Sequence, residues 1–352
     1  MKILQKYFTY IFIIFFFIIF SIYNYEEYYN FHNNKIELEQ RNIDLNEKIE
    51  SFELKYVKNI KDIQFYYTPN KELIKDIISK IEKAKKEILL ETYMLTEKKI
   101  QVALVKAKKR WINIKVILEK APYMAYNINN KAFNKLEKAW INVIWSSKKN
   151  YSFNHTKVLL IDNLSIISTG NYSYSTFTKN RDFFIFTTEE KIYKKLKENF
   201  YNDYNWIKIN IYDDNLIFSP NTSRIKFEKM FNSAKKDIKM YFQYMKDDDL
   251  VKLLINIKKE KNIDISIVIP ETAIDDENTI NLKKAWIKIN ILPKYKMHAK
   301  AILIDKEYLF IWSINFSYYS IDRNREVWIL IKNSKIINNF LKIYNQDIKN
   351  SY

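Results

Sequence analysis

The chain has 352 residues, carries a formal net charge of +18 and contains no cysteine. Its length exceeds the size at which one hydrophobic core usually stops growing, which predicts two domains or two lobes. The absence of cysteine excludes disulfides, thiolate metal sites and cysteine nucleophiles. The excess of lysine and arginine indicates a polyanionic partner, either nucleic acid or an anionic membrane surface, although an AT-rich gene would also enrich lysine.

The first 25 residues are predicted to be a membrane anchor. Residues 7–25 carry no charge, and as a helix they would rise about 28 Å, close to the thickness of a bilayer core. Lys2 and Lys6 precede this segment and two glutamates follow it, which favours a cytoplasmic N-terminus with the rest of the chain outside the cytoplasm. No small-residue cleavage site closes the segment, so we expect a single-pass anchor in the cell membrane rather than a removed signal peptide.

A polar segment, residues 26–60, follows the anchor. Leu38, Leu45 and Phe52 recur in it at sevenfold spacing, which predicts a helical stalk. The spacing is too short a run to establish a coiled coil, so a solvated spacer helix is the preferred interpretation.

The remaining chain is predicted to form two lobes, residues 61–205 and 206–352, because the order of strand and helix patterns in the first recurs in the second. The sequence Ala-Lys-Lys-Glu-Ile at 84–88, for example, is matched by Ala-Lys-Lys-Asp-Ile at 234–238. Strands that alternate with helices indicate an α/β fold in which helices flank a mixed β-sheet in each lobe.

Each lobe contains one copy of the pattern HxKxxxxD. The chain has three histidines in all, and two of them belong to these motifs. Residues two apart on a strand face the same side of a sheet, so each motif histidine would share a pocket with its lysine. The two copies are His155, Lys157 and Asp162, and His298, Lys300 and Asp305.

Polar residues downstream of each motif recur as well. A turn containing an asparagine comes first, Asn171 in one lobe and Asn315 in the other, and an Asn-Arg-acid segment that ends at Asp182 or Glu326 comes next. These two carboxylates could each accept a hydrogen bond from a histidine ring nitrogen and fix its tautomer. The amides and the motif lysines could stabilise negative charge on phosphate oxygens.

This doubled constellation resembles the phospholipase D superfamily, whose members carry two HxKxxxxD motifs, each followed by a G-S-x-N-like turn and an Asn-Arg-Glu-like segment. The corresponding turns here read Ser-Thr-Gly-Asn at 168–171 and Trp-Ser-Ile-Asn at 312–315. The resemblance covers nearly all of both lobes. It implies two lobes related by a pseudo-twofold axis, with both motifs at their interface, so that one monomer would hold a complete site.

The resemblance also implies a mechanism, namely phosphodiester cleavage through a covalent phosphohistidine without metal or other cofactor. His155 would be the nucleophile and His298 the general acid and base. Asp162 and Asp305 are expected to anchor the turns of their motifs rather than touch the substrate. The Asn-Arg pairs would either brace the lobes or contact the ligand, and they are Asn180, Arg181, Asn324 and Arg325.

We therefore expect a membrane-anchored phospholipase D-like enzyme that acts on phospholipid at an anionic membrane, by hydrolysis or by phosphatidyl transfer as in cardiolipin synthases. The alternative is a metal-independent nuclease of the same superfamily, for which the positive charge would serve the DNA backbone. A binding module without catalytic activity is disfavoured because both His-Lys pairs are intact. The sequence leaves the headgroup and the acceptor open.

The chain has one glycine against seven tryptophans. Trp111, Trp140 and Trp286 each follow a lysine-rich helical pattern and precede a strand pattern, where a left-handed residue usually ends the helix. Trp312 and Trp328 stand where relatives commonly have glycine. We hypothesise that UGA codons of this gene specify glycine and have been translated as tryptophan; the alternative is that genuine tryptophans are tolerated through local rearrangement.

Overall fold

The computed structural model describes residues 44, 47–208, 211–220, 222–313 and 315–352. Its backbone separates into two compact units, Met1–Glu50 and Ser51–Tyr352, and the second unit contains both predicted lobes. The predicted anchor at residues 7–25 and most of the predicted stalk lie outside the described residues. In the part of the chain that is described, we find no helix with the length and apolar character needed to cross a bilayer.

The first lobe is built on a mixed sheet of seven strands in the order β1-β8-β6-β5-β2-β3-β4. Strands β2, β3 and β4 are parallel, and β5 runs antiparallel to β2. The strands are β1 (Ile63–Tyr67), β2 (Glu87–Thr92), β3 (Asn113–Leu118), β4 (Asn142–Trp145), β5 (Lys157–Ile161), β6 (Leu164–Ser168) and β8 (Phe183–Thr187), with the short β7 (Asn180–Arg181) outside the sheet.

Helices flank this sheet because their apolar residues fall on one face. In α1 (Lys71–Lys83), Leu73, Ile77 and Ile81 are buried, and the side chain of Asn70 caps the first turn by accepting backbone hydrogen bonds. The other helices of this lobe are α2 (Lys98–Lys109), α3 (Asn130–Lys138), α4 (Tyr174–Thr178) and α5 (Glu190–Tyr204).

The second lobe repeats this architecture, with the sheet order β13-β12-β10-β15-β16-β18-β9. Its strands are β9 (Leu216–Phe218), β10 (Asp237–Tyr241), β12 (Asp264–Ile269), β13 (Lys288–Ile291), β15 (Ala301–Ile304), β16 (Tyr308–Trp312) and β18 (Val327–Ile331), with short β11 (Met245–Lys246), β14 (Lys296–Met297) and β17 (Phe316–Ser317). Its helices are α6 (Ser223–Ser233), α7 (Asp248–Lys261), α8 (Glu277–Lys284), α9 (Tyr318–Asp322) and α10 (Ser334–Lys349).

Read from β4 to β1 and from β13 to β9, the two sheets match strand for strand, which confirms the predicted pair of α/β lobes. A central apolar cluster joins them, because it takes side chains from one face of each sheet together with α5 and α10. Phe52, Leu54 and Val57, at the end of the predicted stalk segment, are buried in the core of the second lobe.

The ends of the strands form two opposite edges of each sheet. Lys157 at the start of β5 pairs with Thr92 at the end of β2, so the first motif lies at the edge where the parallel strands end. The helix-to-strand connections that precede β3 and β4 lie at the opposite edge.

Four tryptophans have a left-handed backbone conformation, with φ between 59° and 66°. Trp111, Trp140 and Trp286 precede β3, β4 and β13, and Trp206 follows α5. Each closes a helix through a paired hydrogen-bond motif; after α2, for example, Trp111 N donates to Lys108 O and Ile112 N to Ala107 O. All four side chains are exposed. Trp312 and Trp328 differ, because they are buried in strands and stack on each other with ring centroids 5.1 Å apart.

Candidate active site

The two motif histidines are held by backbone segments of the opposite lobe. The amide of His155 donates to the carbonyl of Arg325 at 2.8 Å, and that of His298 donates to the carbonyl of Arg181 at 3.2 Å. The short strand β14, just before His298, pairs with β7 in the first lobe. The Asn-Arg segments therefore link the lobes at the site, and each one continues directly into an acidic residue.

Those acidic residues pair with the histidines crosswise. Nδ1 of His155 lies 2.9 Å from a carboxylate oxygen of Glu326, and Nδ1 of His298 lies 2.8 Å from Asp182. Both carboxylates are fully buried. The sequence predicted a hydrogen bond between each acid and a histidine ring but did not indicate that the partners come from different lobes. With Nδ1 engaged, Nε2 is the ring nitrogen left for chemistry.

The motif lysines lie beside the histidines. Nζ of Lys157 donates to the carbonyl of His155 at 2.7 Å, and Nζ of Lys300 donates to the carbonyl of His298 at 2.5 Å and to Oε1 of Gln243 at 3.3 Å. Burial, aided by the charge of Lys300, lowers the pKa of Lys157 to about 7. Burial, aided by the charge of Lys296, lowers the pKa of Lys300 to about 8. Two buried ammonium groups beside the motif histidines favour an anionic ligand.

Burial also lowers the pKa of both histidines. The pKa of His155 falls well below its usual value through burial first, followed by Lys157, Lys300 and His298. Burial lowers the pKa of His298 to about 4, against the opposing effect of Asp182. Each imidazole is sensitive to charges of the other motif, so the two motifs share one pocket.

The two acids differ electrostatically. Despite burial, contacts with His298 and Lys300 keep the pKa of Asp182 below its usual value. Burial raises the pKa of Glu326 to about 8, with Lys157 opposing. Asp182 is therefore the more firmly ionised of the two acids.

The turns that carry the predicted asparagines lie beside the two acids of this pocket. The hydroxyl of Thr169 donates to Asp182 at 2.6 Å, which holds the turn that precedes Asn171. Within the described ranges, the amide oxygens of Asn171 and Asn315 are buried and have no hydrogen-bond partner. Both amide oxygens therefore retain unused acceptor capacity.

The structure does not place Asp162 and Asp305 at the site. Each lies beyond the far end of its motif strand, with φ of 53° and 52°. The carboxylate of Asp162 accepts backbone hydrogen bonds from residues 85–87 at 2.8 to 3.1 Å, and Asp305 does the same for residues 235–237. Each holds a turn away from the pocket, in the anchoring role that the sequence predicts for it.

The arginines of the Asn-Arg segments brace the lobes. Arg181 makes a bidentate pair with Asp347 on α10 at 2.8 Å, and Arg325 donates to Asp203 on α5 at 2.6 Å. Both arginines are buried, and both act through contacts with protein groups. The two aspartates were not predicted from the sequence, although they occupy matching positions on the last helix of each lobe.

Three further residues at the first motif were also missed. The ring of Tyr93 lies 4.5 Å from the ring of His155, edge to face. Asn154, which directly precedes this histidine, donates to Glu91 at 2.6 Å. Glu91 occupies the place that Tyr241 has in the second lobe, where its hydroxyl donates to Asp347 at 2.8 Å. For Glu91, the available signal was a charged residue inside an apolar strand.

Across the residues that the structure describes, no group of three or more His, Asp or Glu side chains could hold a metal ion.

Two α/β lobes that bring two HxKxxxxD motifs to one interface are the arrangement expected of the phospholipase D superfamily. The sequence profile of the family described as "Cardiolipin synthase, PLD-like domain" matches residues 77–204 and 227–348. The chain belongs to this family, and it is a phospholipase D-like enzyme of the phosphodiesterase and transphosphatidylase class.

Individual relatives agree with this assignment. The chain is 24% identical over 345 residues to a cardiolipin synthase of Clostridium perfringens, a match that covers 82% of this chain and 70% of the relative. It is 26% identical over 140 residues to a phospholipase D of Rickettsia prowazekii, across 39% of this chain and 64% of the relative.

Among solved structures, the phosphatidylserine synthase of Haemophilus influenzae superposes with a TM-score of 0.69 at 11% identity, covering 89% of this chain and 91% of that one. A polyphosphate kinase of Porphyromonas gingivalis gives 0.63 at 14% identity, covering 81% and 50%. Similarity at these identities establishes the fold.

Proposed function

We propose that the protein is a phospholipid phosphodiesterase or phosphatidyltransferase, held at the cell membrane by its N-terminal segment, that works through a phosphohistidine. The observation that carries this proposal is the crosswise pairing of the two histidines with buried carboxylates next to two buried lysines. The family match and the cardiolipin synthase relative support phospholipid as the substrate.

In the first step, the Nε2 lone pair of His155 forms a bond to phosphorus as the bond from phosphorus to the leaving oxygen breaks. That oxygen takes a proton from His298. In the second step, water or an alcohol gives its proton to His298 while its oxygen bonds to phosphorus. The N–P bond breaks, and its electron pair returns to His155.

The two acids support this division of roles. An ionised Asp182 stabilises a positive charge on His298, which a general acid must carry. Glu326, with its raised pKa, stabilises such a charge on His155 less, and a nucleophile must be neutral. A substrate phosphate adds negative charge, which raises the low histidine pKa values toward working pH.

The lysines and asparagines supply the remaining electrostatics. Lys157 and Lys300 would face the non-bridging phosphate oxygens, where negative charge builds in the transition state, and Asn171 and Asn315 would add amide hydrogen bonds. Because both halves of the site come from one chain, a monomer suffices. The net charge of +18 suits an anionic membrane and is also the observation that favours the alternative, a nuclease.

The substrate test uses the full-length chain in chelator with phosphatidylglycerol vesicles and, separately, with single-stranded DNA. We expect glycerol release together with phosphatidic acid or cardiolipin, and no DNA cleavage. DNA cleavage without lipid turnover would select the nuclease instead.

The intermediate is tested with bis(p-nitrophenyl) phosphate, whose leaving group needs no acid. His298→Asn should release a burst of about one equivalent of p-nitrophenolate per site and then stop, with phosphorus on His155. The matched variant His155→Asn should show no burst. Multiple turnovers by His298→Ala on lipid would contradict the assigned roles.

A further inference from the structure

The loop at residues 121–129, which we call the rim loop, follows β3 and lies at the edge of the sheet where the first motif stands. It runs without a charge between the exposed residues Lys120 and Lys131. Tyr123, Met124 and Tyr126 are 67%, 81% and 70% exposed, and Ile128 is also exposed. Large apolar side chains are rarely concentrated in this way on a soluble surface without a binding role.

Hydrogen bonds hold the base of the rim loop in a defined conformation. The buried side chain of Asn129 donates to the carbonyls of Tyr93 and Glu119, both at 2.8 Å, and accepts from the amide of Leu95 at 3.0 Å. Met124 has φ of 55°, a region that residues other than glycine seldom adopt. The fold therefore holds the base of the loop firmly and presents its apolar tip to solvent.

The rim loop is also tied to the reacting group. The amide of Tyr123 donates to the hydroxyl of Tyr93 at 2.5 Å, and the ring of Tyr93 lies 4.5 Å from that of His155. Tyr123 also contributes electrostatically to the pKa of Tyr244 in the second lobe. The loop thus lies beside the mouth of the site, where both lobes meet.

Further exposed aromatic residues stand at the same edge. Tyr174 follows the turn that contains Asn171, and Tyr318 and Tyr319 follow the turn that contains Asn315. Because β6 and β16 run antiparallel to the motif strands, these turns return to the edge at which the motif strands begin. Exposed tyrosines therefore surround the site on both lobes.

We infer that the rim loop docks into the headgroup region of an anionic lipid bilayer and sets the pocket at the depth of the lipid phosphodiester. This inference rests on the proposed function. Drawing a two-chain lipid fully out of the bilayer would expose the methylene groups of both acyl chains to water, at a large cost in free energy. The site must therefore approach the membrane, and tyrosines flanked by lysines are the side chains that suit an anionic interface.

The test exploits the absence of cysteine from the chain. Met124→Cys in the full-length protein gives a single site for an environment-sensitive NBD label. The matched control is Trp111→Cys, which lies at the opposite edge of the sheet and is 93% exposed in the parent. Both labelled proteins are mixed with vesicles of phosphatidylglycerol that contain a doxyl-lipid quencher.

We expect the label at position 124 to shift to the blue and to be quenched at least threefold more strongly than the label at position 111. Equal quenching at the two positions, or a response at position 124 only to single-stranded DNA, would overturn the inference. The readout needs no turnover, so it remains valid if the enzyme proves inactive on lipid.

Activity provides a second measurement. For Tyr126→Ser, kcat/KM on phosphatidylglycerol vesicles should fall at least fivefold more than kcat/KM on soluble bis(p-nitrophenyl) phosphate. Equal losses on both substrates would show that the loop serves the pocket rather than the membrane, and would contradict docking. Failure of the parent protein to turn over bis(p-nitrophenyl) phosphate would instead count against the proposed function.

Discussion

His155 of the first lobe hydrogen-bonds through Nδ1 to Glu326 of the second, at 2.9 Å. His298 of the second lobe is paired in the same way, because its Nδ1 lies 2.8 Å from a carboxylate oxygen of Asp182 in the first lobe. Each histidine is therefore oriented by a carboxylate that its own lobe does not supply. Neither lobe could orient its histidine in this way alone.

This crossing predicts a pattern of energetic coupling. Double-mutant cycles on unfolding free energy, with alanine for histidine, asparagine for Asp182 and glutamine for Glu326, should give about 1–3 kcal/mol for the crosswise pairs. The same-lobe pairs, His155 with Asp182 and His298 with Glu326, should give less than about 0.5 kcal/mol. Stronger coupling within a lobe would refute the crossing.

Asp162 is expected to act on stability rather than turnover. Asp162→Ala removes the acceptor of three backbone amides and should lower the unfolding free energy by about 1–2 kcal/mol, as loss of a helix cap does. Below the melting range, kcat should stay within about twofold of the parent, because the carboxylate lies away from the pocket. Lys157→Met provides the contrast, since it should abolish turnover without comparable destabilisation. A large loss of kcat in the folded Asp162 variant would contradict the prediction and show that this aspartate takes part in turnover.

The buried pair of Arg181 and Asp347 is predicted to be important for joining the lobes. Asp347→Ala leaves a buried guanidinium unpaired and should destabilise the protein by about 3–5 kcal/mol in denaturant titration. Arg181→Met combined with Asp347→Leu should recover much of that loss, because no charge is left unpaired. If the double variant is as unstable as the single one, the arginine has a role beyond this pair.

Glu91 predicts a pH dependence of stability. Burial, followed by the nearby Asp203, raises the pKa of this carboxyl well above its usual value. The folded protein keeps it protonated while the unfolded chain ionises it, so its contribution to stability is lost as pH rises above the unfolded pKa. Glu91→Gln should therefore gain stability relative to the parent as pH rises above 4.5, with a slope of at most about 1.4 kcal/mol per pH unit. The exposed control Glu72→Gln should show no such trend, and a constant difference for Glu91→Gln would contradict the prediction.

The left-handed tryptophans should be better replaced by glycine. Trp286→Gly removes a side chain bearing Cβ from a position with φ of 60° and should raise the unfolding free energy by about 1 kcal/mol. Trp145, which stacks on Phe133 at 4.1 Å between centroids, is the control, and Trp145→Gly should destabilise the protein. Mass spectrometry of the native protein should find glycine at position 286 if the codon hypothesis holds; tryptophan there would refute it.

The sequence by itself determined the two lobes and the motif residues. Periodic strands and helices recur in matching order, and the pattern HxKxxxxD occurs once in each lobe. It also marked three of the four left-handed tryptophans, because helix-ending positions are set by local backbone geometry. Trp206 escaped notice because no β-strand pattern follows it directly.

Only the tertiary structure decided which acid serves which histidine and that the arginines pair with Asp203 and Asp347. The physical reason is that these relationships join residues far apart in the chain. Local propensity and spacing act over a few residues, whereas the burial that selects a partner for a charged side chain exists only after the lobes have packed together.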